Sequence, residues 1–126
     1  MHDPDQLGSY FATGGASGPL EPGTTVEWRW HDFPQHVGVV KVREVVPNER
    51  IVLEWEAGDG GYDTRVEMTF EPLDAGSTLV RITESGWKET PEGLKASYGN
   101  CEGWTSMLCA LKVWVEQGVN LREFFY

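Results

Sequence analysis

At 126 residues one domain is the natural count, and a hydrophobic content of 40% is enough to build its core. Ten Lys and Arg against 20 Asp and Glu leave a formal net charge of -10, which argues against nucleic acid and against an anionic membrane surface as partners. No apolar run is long enough to span a bilayer, and no basic start leads into an apolar signal core, so a cytoplasmic protein is expected.

Asp3-Pro4 is a helix-start signal, and Leu7, Tyr10 and Phe11 then share one face of a short helix. Residues 12–23 are rich in Gly and Pro and read as loop. In 24–32, Val26, Trp28 and Trp30 alternate with Glu27, Arg29 and His31, the pattern of a half-buried strand. Residues 37–46 form a second, β-branched strand whose alternation falters at Glu44-Val45, where a bulge is expected. Pro47-Asn48-Glu49 turns the chain into a third strand, 50–56, with Ile51, Leu53 and Trp55 on one face. Gly58-Asp59-Gly60-Gly61 is a strong turn signal. In 63–71, Thr64, Val66, Met68 and Phe70 face one way and charged residues the other. A tight turn at Asp74-Ala75-Gly76 leads to a fifth strand, 77–85, with Val80 and Ile82 on one face.

The only long segment with a helical period follows. Leu94, Tyr98, Cys101, Trp104, Leu108, Leu111 and Val115 recur at steps of three or four, along one stripe. Thr90 suits the N-cap, Pro91 the first turn and Gly118 the C-cap, so the helix should run over 91–117, about 40 Å at ~1.5 Å per residue. Cys101 and Cys109 lie on that helix with Cα atoms about 12 Å apart, too far for a disulfide. They read as small buried apolar residues in a reduced setting. Short connections favour antiparallel neighbours, and a sheet with one apolar face needs the helix as its cover. The expectation is an α+β layer, a curved antiparallel sheet gripping a C-terminal helix.

Four strings narrow this order. They are Asp3-Pro4-Asp5-Gln6-Leu7 with Tyr10-Phe11, Val46-Pro47-Asn48-Glu49-Arg50-Ile51-Val52-Leu53-Glu54-Trp55, Thr78-Leu79-Val80-Arg81-Ile82-Thr83-Glu84-Ser85-Gly86-Trp87, and Gly103-Trp104-Thr105-Ser106-Met107-Leu108-Cys109-Ala110-Leu111-Lys112. In this order and spacing the chain resembles the START-like, or SRPBCC, superfamily, nearest to its activator of heat shock protein 90 ATPase homologue-like family. The resemblance implies a helix-grip fold and covers the chain from Asp3 to about Gly118. Members of that family usually begin with a further strand and helix that run into the Asp-Pro segment. Here Met1-His2-Asp3-Pro4 stands at the end of that helix, so the resemblance implies an N-terminally short domain. The tail with Leu121, Phe124, Phe125 and Tyr126 is a candidate to fill the space, and an uncovered apolar edge would favour a homodimer.

In a helix-grip architecture the space between sheet and helix often holds a ligand. By alternation Trp28, Trp30, Trp55, Met68 and Phe70 would face it, with Trp104, Leu108 and Leu111 entering from the helix, either filling a core or walling a pocket. Glu84 shares the parity of Val80 and Ile82 and points inward unless the strand ends there and releases it to solvent. His2, His31 and His36 have no metal-ligand spacing and no Cys cluster joins them, so no metal or other cofactor is implied. No phosphate loop or nucleophile elbow is present, and no catalytic residue is assigned. The leading expectation is a non-catalytic domain that binds a hydrophobic small molecule. The resemblance offers two alternatives: a co-chaperone-like regulator of a chaperone ATPase, and a cyclase- or hydrolase-like enzyme with Glu84 as its acid or base.

Overall fold

The structure, a computed structural model, describes residues 1–74 and 76–124, and of Phe124 only the backbone. The middle of the expected Asp74-Ala75-Gly76 turn and the tail residues Phe125 and Tyr126 lie outside the described residues. Helix α1 spans Pro4–Gly8, with the Asp3 carboxylate accepting from the N–H groups of Asp5 at 2.8 Å and Gln6 at 3.3 Å. That is the capping chemistry the Asp-Pro signal implied. Leu7, Tyr10 and Phe11 are buried, the last two just beyond the helix.

Six strands follow: β1 (Gly15–Ala16), β2 (Thr25–Arg29), β3 (Val37–Val46), β4 (Arg50–Glu56), β5 (Asp63–Asp74) and β6 (Ser77–Ser85). They pair in sequence order, each antiparallel to the next, and the sheet curls into a half-barrel. The two-residue β1 falls in the stretch read as loop. Two residues carry no alternation signal, and it forms because Gly15 and Ala16 lie against Arg29 and Trp28. The bulge in β3 sits between Val42 and Glu44, one or two residues before the expected place.

Period-two alternation decides which side chains turn inward. Val26 and Trp28 from β2, Val40 and Val42 from β3, Ile51 and Leu53 from β4, and Val66 and Met68 from β5 form one buried cluster. The opposite face carries ion pairs such as Arg43–Glu54, Glu44–Arg50 and Glu71–Arg81, partly to well exposed and each worth little to stability.

Helix α2 runs over Pro91–Gln117 as its caps imply. The Thr90 hydroxyl accepts from the Gly93 N–H at 3.0 Å, and Gly118, with φ of 68°, closes the far end by donating to the Trp114 carbonyl. A side chain at Gly93 would meet the Lys88 carbonyl oxygen at 2.2 Å, so the entry to α2 requires glycine. The face of α2 that meets the sheet is rotated from the expected stripe. It runs through Gly93, Ala96, Asn100, Trp104, Met107, Leu111 and Trp114. Leu94, Tyr98 and Val115 are 53%, 67% and 68% exposed, and both cysteines are exposed rather than buried. The stripe of large side chains misled because the first half of the buried face is built from small and polar residues.

A turn of 3-10 helix, Leu121–Phe124, follows α2. Leu121 packs half-buried on the core and Arg122 is buried. The rotation of α2 predicts a contrast measurable by denaturant unfolding. Met107→Ala, at a fully buried position, should cost about 2–5 kcal/mol, whereas Leu94→Ala should stay within about 0.5 kcal/mol of the unsubstituted protein.

Candidate ligand pocket

One end of the half-barrel is organised by a carboxylate. Trp55 on β4 lies beside Thr64 on β5, and Val66 lies beside Glu84 on β6, so three strands deliver these groups to one place. Above them Asn100 and Trp104, one helical turn apart, descend from α2. Glu84 points inward. Its Oε1 accepts from the Trp55 indole N–H at 2.8 Å, the Thr64 hydroxyl at 2.6 Å and the Asn100 amide at 3.0 Å. Its Oε2 accepts from the Trp104 indole N–H at 2.7 Å and the Asn100 amide at 3.1 Å.

Indole nitrogen can only donate and an ionised carboxylate can only accept, so the set is matched. Charge-assisted bonds of this kind are the stronger class of hydrogen bond. Among the described residues no ion pair reaches Glu84; the charge is held by neutral donors alone. Both oxygens are engaged by the protein, which makes Glu84 a fastening between sheet and helix.

The two fastened indoles belong to a chain of rings. Trp55 and Trp104 have centroids 5.2 Å apart, and Phe11 lies 5.3 Å from Trp104. Phe11 also meets Trp28 and Trp30 edge-on, each at 5.3 Å, and Trp28 meets Trp55 at 5.9 Å. Such contacts add to what burial alone supplies. Gly38 leaves room for this assembly, because a Cβ there would lie 3.1 Å from the Trp30 ring.

Against the rings opens a pocket of about 330 Å³. Phe11, Trp30, Trp55 and Trp104 make its aromatic wall. Gly99, Asn100, Gly103 and Ser106 present one side of α2, with Glu102 beside them. Phe33 and His36, from the β2–β3 loop, and Arg122, from the tail, complete the lining. His36 lies over Trp30 at 5.6 Å. Arg122 Nη2 donates to Asp32 Oδ2 at 2.8 Å in a pair whose side chains are 9% and 8% exposed, and this ties the tail to the loop at the pocket.

The nine residues expected to face a cavity divide into groups. Trp30, Trp55 and Trp104 come together on the pocket wall, and Glu84 stands behind two of them without lining it. Trp28 and Met68 are enclosed in the core, and Leu108 and Leu111 pack half-buried against it. Phe70 lies at the far end of the sheet, in a second hollow of about 420 Å³ with Met1, Val45, Pro47 and Ile51. The split follows from strand position: Trp55 and Phe70 both face inward, but Ile51 and Trp55 sit at opposite ends of β4. Sequence reasoning missed Phe11, Phe33, Asn100 and Arg122, along with the two pocket glycines. Helical spacing of Gly99 with Gly103, and of Asn100 with Trp104, was the signal on α2, and no local spacing pointed to Phe11, Phe33 or Arg122 as pocket residues. Among the described residues no group of His, Cys, Asp or Glu could hold a metal ion, and no helix is long and apolar enough to cross a membrane.

The Glu84 fastening makes a specific demand. Glu84→Gln replaces one acceptor by an N–H₂ group that must face donors, and should cost about 1–3 kcal/mol in thermal or denaturant unfolding. The near-ultraviolet circular dichroism of the coupled indoles should change with it. An unaltered melting temperature and spectrum would show that the five bonds carry nothing.

Comparison with known proteins places this geometry. The model of the family described as activator of Hsp90 ATPase homolog 1-like protein matches residues 1–116. Protein SSP2350 from Staphylococcus saprophyticus is 29% identical, with a TM-score of 0.78 over 97% of this chain and 82% of its own. DynU16, from the dynemicin biosynthetic locus, shares the fold at 20% identity and a TM-score of 0.75, over 93% of this chain and 40% of its own. MLL2253 from Mesorhizobium loti does so at 17% identity and a TM-score of 0.70, covering 93% and 92%. No curated protein matches the chain. The half-barrel gripping α2 is a helix-grip fold, and the chain belongs to the activator of Hsp90 ATPase homolog 1-like family of the SRPBCC superfamily.

Proposed function

We propose that this protein binds a small, largely apolar molecule in the pocket between Trp30, Trp55, Trp104 and α2, without catalysing its conversion. The observation that carries the reading is the pair of glycines at 99 and 103. Glycine inside a helix costs about 1 kcal/mol relative to alanine. At Gly93 the fold requires it; at Gly99 and Gly103 a Cβ would meet nothing within 4 Å. Both open positions lie on the pocket lining, one turn apart, with Trp104 of the aromatic wall next to Gly103 on the same helix. They give a flat ligand access to the helix backbone, in a hollow whose 330 Å³ lies in the usual range for small-molecule sites.

A lining that combines rings with bare helix backbone suits binding through contact area and stacking. With Glu84 saturated by protein donors and behind the wall, a role as acid or base has no support from its position. The two free, exposed thiols fit a reducing, cytoplasmic setting.

Titration calorimetry with indole and 2-naphthol tests the reading. Binding should be measurable in the unsubstituted protein and lost in Gly103→Leu, whose side chain would enter the pocket. Gly103→Ala should meanwhile stabilise the fold by about 0.5–1 kcal/mol, since it improves the helix and meets no obstacle. Equal binding to Gly103→Leu, or none to the unsubstituted protein, would overturn the proposal.

A further inference from the structure

The charges around the pocket go further than its shape. Every arginine of the chain is in an ion pair: Arg29, Arg43, Arg50, Arg65 and Arg81 on the exposed face of the sheet, and Arg122 at the pocket with Asp32. Lys41 and Lys112 are paired as well, and Lys88 lies over the Tyr62 ring. The arginine on the pocket lining is thus offset by a carboxylate 2.8 Å away. Two carboxylates at the pocket have no such offset. Glu102 is exposed on the lining and in no ion pair among the described residues. Glu84 is in contact with three of the lining residues, Trp55, Asn100 and Trp104, and among the described residues only neutral donors meet its charge.

The Glu84 contacts also act on the rings. The indole face is the negative side of its quadrupole, and a cation over it is attracted. Each N–H of Trp55 and Trp104 points at a carboxylate, so the bond polarises and electron density moves onto the indole ring. The wall holds rings in two orientations, with Trp104 31° from both Phe11 and Trp55, and Trp30 78° from Phe11. A ligand in the corner between them therefore meets aromatic surface from two directions. An anionic ligand would find Glu102 beside it, Glu84 behind the wall and the arginine already taken. The chain's net charge of -10 acts in the same sense at longer range.

We infer that the pocket selects an apolar organic cation, an alkylated ammonium carried on an aromatic or aliphatic body, over neutral and anionic molecules of the same shape. The inference rests on the proposed pocket and adds the charge of its occupant. The cationic centre sits against the Trp55–Trp104 wall and its apolar body faces Gly99 and Gly103.

Three probes of similar shape separate the two statements: phenyltrimethylammonium, the neutral isostere tert-butylbenzene, and benzoate. Binding is followed by calorimetry and tryptophan fluorescence at pH 8 and low salt. The cation should bind about tenfold more tightly than tert-butylbenzene, and benzoate weakest of all. Glu102→Gln should weaken the cation about threefold and leave tert-butylbenzene unchanged, and added salt should weaken the cation alone. If tert-butylbenzene binds as tightly as the cation, or benzoate more tightly, the charge selection is wrong while the pocket stands. If Glu102→Gln weakens the cation and the neutral probe alike, the selection is equally wrong. If none of the three binds, the pocket itself is refuted and the selection falls with it.

Discussion

Glu84 is a half-buried carboxylate turned into the half-barrel with no cation among the described residues to meet it, and the pocket end of the molecule is arranged around that demand. Burying a carboxylate is expensive unless its lone pairs are filled. Here a hydroxyl, an amide and two indoles fill them, drawn from β4, β5 and α2. The bonds cross from one layer to the other, so they set where α2 lies on the sheet as well as that it lies there. A purely apolar contact would tolerate sliding of the helix. Donors at 2.6–3.1 Å tolerate it much less, because a small shift leaves the charge unsatisfied.

That requirement explains the composition of α2. A helix that packs only by hydrophobic area shows its largest side chains on the buried face. In α2 the half near Glu84 instead turns Ala96, Asn100 and Trp104 inward, and the fully apolar contact begins only at Met107. The same half carries Gly99 and Gly103 on the pocket side. One helix therefore has two functions along its length: a polar, open section facing the pocket, and an apolar section from Met107 to Trp114 that closes the core.

These two sections also decide what was legible in the sequence. The strands β2 to β6, the caps of α2 and the inward faces were readable, because alternation and capping are local and the sheet imposes them directly. Parity turned Trp55 inward, but left Glu84 either inward or released to solvent at the strand end. The rotation of α2 could not be read, since Leu94, Tyr98 and Val115 make a better stripe than the buried one does, and Asn100 counts against burial until its partner is known. Parity also says nothing of position along a strand, which is why Trp55 and Phe70 were grouped although they lie at opposite ends of the sheet. The ion pair of Asp32 with Arg122 joins residues 90 positions apart, and no local pattern announces such a contact.

That ion pair performs at the rim the task that Glu84 performs at the wall. A pair so deeply buried gains little net stability from its Coulomb attraction, because both charges lose their water. Its value is geometric. Asp32 stands just beyond β2, next to Phe33, and Arg122 stands beyond the C-cap of α2, with its N–H held by the Asn120 side chain at 2.9 Å. Both segments are short connections, and joining them makes one wall of the pocket. Two carboxylates thus stand behind the lining of the hollow, each bonded to lining residues and used in different ways. Glu84 is fastened by neutral donors and lends its field to the rings, whereas Asp32 spends its charge on the arginine. A single fold thereby sets a carboxylate behind its aromatic wall while offsetting the charge of the arginine on the pocket lining.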